Sequence, residues 1–256
     1  NSREQQERKR EQEAYWLKRF DGELPVLNLP LDFTRPSVQS YEGAVVQFAL
    51  SKEETTGIKS LAEENGVTLY MSILSAFTIL LSKLCGQEDI IVATPVAGRN
   101  HVDVEAIVGL FVNTLAIRER VRAESTVREL LELVKSDTLE AFENSDYPFE
   151  DLVERVSVSR DLGRNPVFDV MFNFLNQRDY RGDLSGYEGQ ALIHTAGVSK
   201  FDLTLTAVDH GEQILLSIGY CTRLFRPVSI DRYVGYLKSI IIYMSGGVEQ
   251  TISEME

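Results

Sequence analysis

Three histidines are the side chains in this sequence that could act as a general base near neutral pH: His101, His194 and His210. None of them is followed by Asp four positions on, where the sequence has Glu105, Val198 and Ile214. Each is therefore first interpreted as a surface or loop histidine. His101 is the most suggestive, because it stands in a loop directly after a predicted buried strand, where α/β proteins place ligands.

Other self-contained catalytic patterns are missing from the sequence. It has no G-x-S-x-G serine motif and no G-x-x-x-x-G-K phosphate loop. The two cysteines, Cys85 and Cys221, have no C-x-x-C spacing and no histidine nearby in sequence, so no disulfide framework and no metal site are predicted. The residues by themselves indicate a domain without a complete catalytic set.

Composition and charge limit the partners that this chain can have. A chain of 256 residues that is 43% hydrophobic can bury a substantial core. Its 39 acidic and 26 basic residues give a net charge of -13, which would repel a phosphate backbone, so we expect no nucleic-acid binding. The opening NSREQQERKR is unlike a signal peptide, and no apolar run is long enough to span a bilayer. We expect a cytoplasmic protein without a membrane segment, and the polar opening suggests a chain entered partway through something larger.

Apolar periodicity and capping signals predict the elements that position any site. Capping boxes open two of the helices, and Gly86 ends a third that is apolar on nearly every face. The predicted helices cover residues 2 to about 20, 51–65, 69–85, 126–144 and 229–244, and the predicted strands cover 43–50, 89–96, 166–174, 201–208 and 213–221. Strands that alternate with long helices indicate an α/β sandwich.

Two segments have more specific predictions. Residues 21–42 contain three prolines between apolar residues and should form an extended, packed connector after the opening helix. The helix over 126–144 is amphipathic, and the residues predicted on its inner side are Leu130, Leu131, Val134, Leu139 and Phe142.

Residues of special backbone geometry are concentrated in three stretches, GLFVNTLAIR, NSDYPFEDLV and RDLGRNPVFD. Such stretches can be turns and helix caps and nothing more. In this order, however, they resemble the fifth, sixth and seventh core motifs of nonribosomal peptide synthetase condensation domains. The matching residues are 107–118, 144–150 and 160–169, with Ser145 where Gln is common and Gly163 where Ser is common. The flanking phrases ATPVAGR and SKFDLTL are also similar to this family.

The resemblance covers essentially the whole chain and implies the C-terminal half of a condensation domain. It implies a chloramphenicol acetyltransferase-like subdomain, a two-layer sandwich in which a mixed sheet is flanked by helices. Residues 1–42 would be the opening helix and connector, and residues 43–256 the α/β subdomain, with a segment near 185–205 that crosses to the partner subdomain.

The family's chemistry takes place in a tunnel between two such subdomains. By resemblance, no cofactor is bound directly; the tunnel admits phosphopantetheine arms from donor and acceptor peptidyl carrier proteins, and the acceptor amine attacks the donor thioester. The catalytic His-His-x-x-x-Asp-Gly motif belongs to the N-terminal subdomain, and nothing in this sequence matches it. The implied partners are that subdomain, the carrier proteins and an adjacent adenylation domain, and the isolated chain is expected to be inactive.

The resemblance also assigns residues to the tunnel. Its expected lining residues are Gly109, Phe111, Asn113, Thr114, Ser199 and Phe201. We expect Asn113 to face the reacting groups, because an amide can donate to a developing oxyanion without adding charge. The alternative is that Asn113 and Thr114 only satisfy the end of a strand.

The other two motifs are interpreted as structural. Asp146 or Tyr147 would precede a helix with Pro148 in its first turn and Phe149 packed inward. In the third motif, Pro166 would begin a strand and Arg164 would pair with Asp161 or Asp169. The remaining residues of that motif set are Arg160 and Asn165.

Two other functions stay open at this point. The same fold could serve as a non-catalytic module that docks carrier proteins or recruits other enzymes. The other alternative is a heterocyclisation or epimerisation domain, a variant of the same family that catalyses a different class of reaction. The residues encoded before Asn1 would discriminate a catalytic domain from a docking module, since they would contain the histidine motif or lack it.

Overall fold

The computed structural model describes residues 2–97, 111–156, 161–176 and 197–255. The helices in these ranges are α1 (Ser2–Arg19), α2 (Lys52–Glu64), α3 (Leu69–Cys85), α4 (Val127–Glu143), α5 (Phe149–Arg155) and α6 (Pro227–Gly246), with a 3-10 turn at Ile252–Glu254. The strands are β1 (Gly43–Ala49), β2 (Asp89–Ala97), β3 (Val112–Arg120), β4 (Val170–Asn176), β5 (Leu203–Asp209) and β6 (Ile214–Cys221).

The six strands form one mixed sheet in the order β1-β6-β5-β4-β2-β3. β4 runs parallel to both β2 and β5, while the pairs β1 with β6, β5 with β6 and β2 with β3 are antiparallel. The strands β1 and β3 form the two edges. The predicted α/β fold with a mixed sheet and flanking helices is confirmed.

One face of the sheet is covered by helices, and the core lies between these two layers. α3 is buried continuously from Met71 to Leu81, as its apolar sequence predicts, and it ends at Gly86 in the left-handed conformation with φ 63°. Phe77 of α3 meets Phe172 of β4 with ring centroids 6.4 Å apart, and both side chains are fully buried. Burial of a side chain of this size stabilises the fold by about 1.5–3 kcal/mol.

The opening helix docks by its C-terminal half. Trp16 and Phe20 are buried, and the Trp16 indole donates a hydrogen bond to the carbonyl of Asn144 over 2.9 Å. The connector after it is extended, with Leu27 and Leu29 buried in the core. Farther along, the Asp32 carboxylate accepts hydrogen bonds from the Arg226 amide and from the Ser229 hydroxyl at the start of α6. These contacts fix the connector against the α/β layers, as predicted.

The inward face of α4 differs from the prediction. Its buried residues are Val127, Leu130, Leu131, Val134, Asp137, Thr138 and Ala141, whereas Leu139 and Phe142 are 50% and 41% exposed. Leu139 follows Val134 by five residues, which places it about 140° round a helix of 3.6 residues per turn. The inward position at that level belongs to Asp137, which forms an ion pair with Arg19.

The strand predicted from Pro166 begins later, at Val170. Before it, the Phe168 amide donates to the Pro166 carbonyl over 2.9 Å, and Val167 has φ 72°, so these residues form a γ-turn. This tight turn places both Val167 and Phe168 in the core. Similarly, β5 begins at Leu203 instead of Phe201.

No single helix of the described residues is long and apolar enough to cross a membrane. The helices α2 and α3 meet that test of length and composition only as a pair bent by 109°.

Candidate functional site

Several predicted residues lie outside the described residues, namely Gly109 and Arg160, together with His101, His194 and positions 185–196 of the crossover segment. His210, the remaining histidine, is exposed in the turn between β5 and β6, where its amide donates to the Gln213 carbonyl. Phe111 is half-buried directly before β3. The described part of the chain therefore has no histidine in a cleft.

Asn113 joins the first motif to the second. Its side-chain amide donates to the carbonyls of Ser145 and Tyr147, both over 2.8 Å. Its Oδ1 accepts from the amides of Thr114 and Phe149 over 2.9 and 3.3 Å. Both amide hydrogens are therefore engaged, and donation to a reacting group would require one of these bonds to break. This geometry favours the alternative given above, in which Asn113 satisfies backbone groups, while its place along a tunnel stays a prediction.

The second motif is a turn that leads into α5. Pro148 is the N-cap of α5 with extended backbone, φ -65° and ψ 136°, so it stands immediately before the helix and not in its first turn as predicted. Because the Pro148 backbone is extended, the residues before it stay outside the helix, and the carbonyls of Ser145 and Tyr147 can accept hydrogen bonds from Asn113. Tyr147 is buried and Phe149 half-buried. Asp146 pairs with Arg8 and Asp151 with Lys9, so α1 holds this turn from outside.

A row of three phenylalanines connects the second motif, the third motif and the SKFDLTL segment. The ring centroids of Phe149 and Phe168 lie 5.1 Å apart, and those of Phe168 and Phe201 lie 5.7 Å apart. Such tilted pairs add about 0.5–1.5 kcal/mol each beyond their burial. The motifs that are separated in sequence therefore meet at one place, which we call the motif junction: Asn113, residues 145–149, Phe168 and Phe201.

Ion pairs stabilise the third motif, and hydrogen bonds from Arg35 to the Gly163 carbonyl and from Arg164 to the Leu27 carbonyl join it to the connector. Arg164 pairs with Asp169 and, at 3.8 Å, with Asp161, so both predicted partners are confirmed. Arg35 of the connector binds both carboxylate oxygens of Asp202. Close packing accompanies these pairs, since a Cβ on Gly163 would lie 2.6 Å from the Pro36 carbonyl oxygen. Asn165 donates to the Lys200 carbonyl over 3.0 Å.

Asp169 is the titratable group most affected by this environment. Burial and the neighbouring Asp202 carboxylate raise its pKa to about 6, against the opposing effect of Arg164 and Arg35. Its Oδ2 binds Arg164, whereas its Oδ1 is buried without a hydrogen-bond partner.

Ser199 and Phe201 line a cleft of about 250 Å³. The Ser199 hydroxyl donates to the Phe201 carbonyl over 2.6 Å, and the Ser199 amide donates to the Tyr41 carbonyl. Among the described residues the rest of the lining is mostly uncharged, with Lys200 as its one charged side chain; the other members are Val45, Met171, Asn173, Val198, Thr204, Thr206, Ser217 and Gly219. Such a lining can orient amide and hydroxyl groups without fixing a charge.

A buried pair of carboxyl groups at the β3 edge was missed in the sequence. Glu119 is fully buried beside Asp137 of α4, and Asp137 pairs with Arg19 of α1. Burial, followed by the Asp137 charge, raises the pKa of Glu119 well above its ordinary value. The sequence did contain a signal for this pair. Asp137 lies on the inward face of α4, and Glu119 continues the every-second-residue face of β3 that holds Leu115 and Ile117.

The described residues offer neither a metal cluster nor an activated thiol. Among them, no group of three or more His, Cys, Asp or Glu side chains could hold a metal ion. Both cysteines are free, and burial raises the pKa of each thiol, so neither is an activated nucleophile.

Comparison with known proteins gives a family match. The family model of the condensation domain matches residues 1–256. The chain is 41% identical over 252 residues to bacitracin synthase 2 of Bacillus licheniformis, covering 98% of this chain and 10% of that protein. It is 45% identical over 250 residues to gramicidin S synthase 2 of Brevibacillus brevis, covering 96% of this chain and 6% of that protein. The chain thus spans a small part of the curated relatives that it matches.

Solved structures agree with this match. A holo four-domain nonribosomal peptide synthetase bound to AMP and glycine is similar with a TM-score of 0.87 and 26% identity, over 96% of this chain and 20% of that one. The X-domain from teicoplanin biosynthesis shares the fold with a TM-score of 0.86 and 19% identity, over 97% of this chain and 57% of that one.

Proposed function

Since the chain belongs to the condensation-domain family, we propose that it is the C-terminal subdomain of a nonribosomal peptide synthetase condensation domain that forms amide bonds between carrier-bound thioesters. In this proposal residues 1–42 are the opening helix and connector, residues 43–256 are the subdomain, and the segment near 185–205 crosses to the N-terminal subdomain. The observation that carries the proposal is that three motifs, distant in sequence, meet at the motif junction beside a cleft whose lining is mostly uncharged.

The reaction would join an acceptor amine to a donor acyl group. The amine nitrogen attacks the thioester carbon, the new C–N bond forms, the C–S bond breaks, and the departing thiolate takes up a proton. The amine's proton passes to the histidine of the N-terminal subdomain, which this chain does not contain. The role of this chain is to form one wall of the tunnel and hold both phosphopantetheine arms in line, which lowers the barrier by orientation.

The residues that we propose as tunnel lining are Gly109, Phe111, Asn113, Thr114, Ser199 and Phe201. The proposed lining around Ser199 is supported by its position in the mostly uncharged cleft, where Asn173 keeps a buried Oδ1 without a hydrogen-bond partner among the described residues. Carrier-arm amides are neutral donors and acceptors, so a neutral polar lining suits them. The donor and acceptor carrier proteins, the N-terminal subdomain and an adjacent adenylation domain are the proposed partners, in the cytoplasm.

The test compares the full-length protein with the 256-residue chain, each given loaded donor and acceptor carriers. We expect dipeptidyl product from the full-length protein and none above the carrier-only background from the chain alone. Product from the chain alone that disappears in a His101→Ala variant would contradict the proposed division of roles. Mass spectrometry of the product also separates the variants, since heterocyclisation removes a further water and epimerisation forms no peptide bond.

A second function, recruitment of another enzyme, is favoured by one observation. The complex of the X-domain and OxyB from teicoplanin biosynthesis contains the same fold, with a TM-score of 0.86 over 100% of this chain at 20% identity. A full-length protein that binds carriers but forms no product, and whose first half lacks the histidine motif, would support this second function.

A further inference from the structure

A cavity of about 400 Å³ lies between the connector and the third motif. One wall is formed by residues 22–27, and the opposite wall by Asp161, Arg164, Asn165 and residues 167–169, with Asp89 and Ile91 of β2 between them. It shares no lining residue with the cleft around Ser199. The cavity is therefore a separate feature that the proposed reaction does not use.

The lining of this cavity has more acidic than basic side chains. Its ionisable lining consists of Glu23, Asp89, Asp161 and Asp169 against the single guanidinium of Arg164. Asp89 is satisfied by Arg118, which binds both of its carboxylate oxygens. Arg35 also acts on Asp161 and Asp169, but it is paired with Asp202. Among the described residues, three carboxylates therefore remain against the guanidinium of Arg164, so a further positive charge would be attracted.

One of these carboxylates has a buried oxygen that lacks a hydrogen-bond partner among the described residues. Asp169 is only 5% exposed, and its Oδ1 has no partner. A buried acceptor without a partner costs about 1–3 kcal/mol, more for a charged group, so a ligand that supplies a donor would recover this energy. The pKa of Asp169 is raised by this burial and by the neighbouring Asp202 carboxylate.

The rest of the cavity is apolar and suits the stem of a long side chain. Leu24, Pro25, Ile91 and Phe168 line it, and Val26 at its wall is 47% exposed. Arginine and lysine bury their methylene stems along such surfaces while the charged head meets an acceptor. A volume of about 400 Å³ exceeds what a single ion or a bare guanidinium needs.

From these observations we propose that the cavity is a binding site for an arginine or lysine side chain carried by a peptide segment. The cationic head binds beside Asp169 and Asp161, the stem lies against Pro25 and Phe168, and an adjoining apolar residue of the peptide covers Val26. This site is independent of the proposed amide-forming function.

The experiment titrates the full-length protein by calorimetry with acetyl-Leu-Arg-amide and with acetyl-Leu-citrulline-amide, which keeps the shape and removes the charge. We expect the arginine peptide to bind at least about tenfold more tightly, as charge-assisted hydrogen bonds require. Asp169→Asn should abolish this preference, whereas Asp209→Asn, which removes a carboxylate paired with Lys59 far along β5, should not.

The proposal is overturned if both peptides bind equally, if neither binds at millimolar concentration, or if folded Asp169→Asn keeps the full preference. Free arginine that binds as tightly as the peptide would overturn the peptide part of the proposal. If Asp169→Asn does not fold, the exposed Glu23→Gln takes its place, with an expected loss of about threefold, and unchanged affinity in that variant would overturn the proposal.

Discussion

The motif junction and the buried acid pair both include a residue of β3, Asn113 and Glu119, but their polar groups are buried in opposite ways. At the motif junction, Asn113 uses both donors and its acceptor on backbone groups. At the β3 edge, Glu119 is fully buried and both carboxylate oxygens lack a hydrogen-bond partner of ordinary geometry. A neutral, satisfied group stabilises the fold at every pH, whereas a buried acid does so only while it keeps its proton.

Among the substitutions that test this comparison, Asn113→Ala should lower the free energy of unfolding the most. The substitution leaves the carbonyls of Ser145 and Tyr147 and the amide of Phe149 without their partner, so we expect the free energy of unfolding to fall by about 2–4 kcal/mol. If Asn113 acts only as a brace, turnover per folded molecule should stay near that of the unchanged protein.

Chemical denaturation and turnover, measured on the same preparation, check both expectations for Asn113→Ala. Asn165→Ala is the matched control, since Asn165 makes one hydrogen bond, to Lys200, and should cost about 1 kcal/mol or less. A stable Asn113→Ala protein with turnover reduced ten- to a thousand-fold would instead restore Asn113 as a donor to the reacting centre.

A smaller loss should follow Gly163→Ala, which tests how tightly the third motif packs. The added Cβ would lie 2.6 Å from the Pro36 carbonyl oxygen, so the connector must move, at a cost of about 1–3 kcal/mol. Gly235→Ala on α6 is the control, because nothing lies within 4 Å of its Cβ and the change should stabilise the helix by about 0.5–1 kcal/mol. Equal melting temperatures for the two variants would show that the connector yields freely.

The smallest effect, and the one with opposite sign, is expected from Glu119→Gln. Because the pKa of Glu119 is raised on folding, the folded state binds more protons, and its stability falls as pH rises from the unfolded pKa toward the folded one. Glutamine does not ionise, so it removes this loss of stability at high pH, and its amide can donate to Asp137. We expect the free energy of unfolding of the variant to rise by about 1 kcal/mol at pH 7 and to stay unchanged at pH 4.

Denaturation at a series of pH values checks the prediction for Glu119. Glu140→Gln is the control, an exposed change on α4, the helix that carries Asp137, and it should leave the pH dependence as it was. A Glu119→Gln protein that loses more stability at pH 7 than at pH 4 would instead show that the carboxyl is charged and paired in the folded state.

Sequence patterns predicted the parts of this fold that depend on neighbours along the chain. The capping boxes at Ser51 and Thr126 and the left-handed Gly86 are local signals, and each occurs where expected. The phase of α4 was predicted incorrectly at Leu139, because the ion pair between Asp137 and Arg19 involves residues far apart in sequence. The same reason explains the γ-turn at Val167, since packing against other segments determines its backbone.

The candidate site was predictable as a set of motifs but not as a set of contacts. The resemblance grouped residues 107–118, 144–150 and 160–169, yet nothing in one sequence showed that Asn113 would bind the turn before α5 or that Phe149, Phe168 and Phe201 would form a row. Contacts of this kind depend on the tertiary fold, which places distant backbone groups within reach of one side chain.

The position of Trp16 has a consequence for how this protein can be observed. It is the chain's single tryptophan, it is 2% exposed, and its indole donates to the carbonyl of Asn144, the first residue of the second motif. The tryptophan fluorescence of this chain therefore reports on a single contact, the packing of the opening helix against the second motif. Release of the helix would shift the emission of this chain to longer wavelength while the sheet is still intact, so a single optical signal can follow this contact in real time.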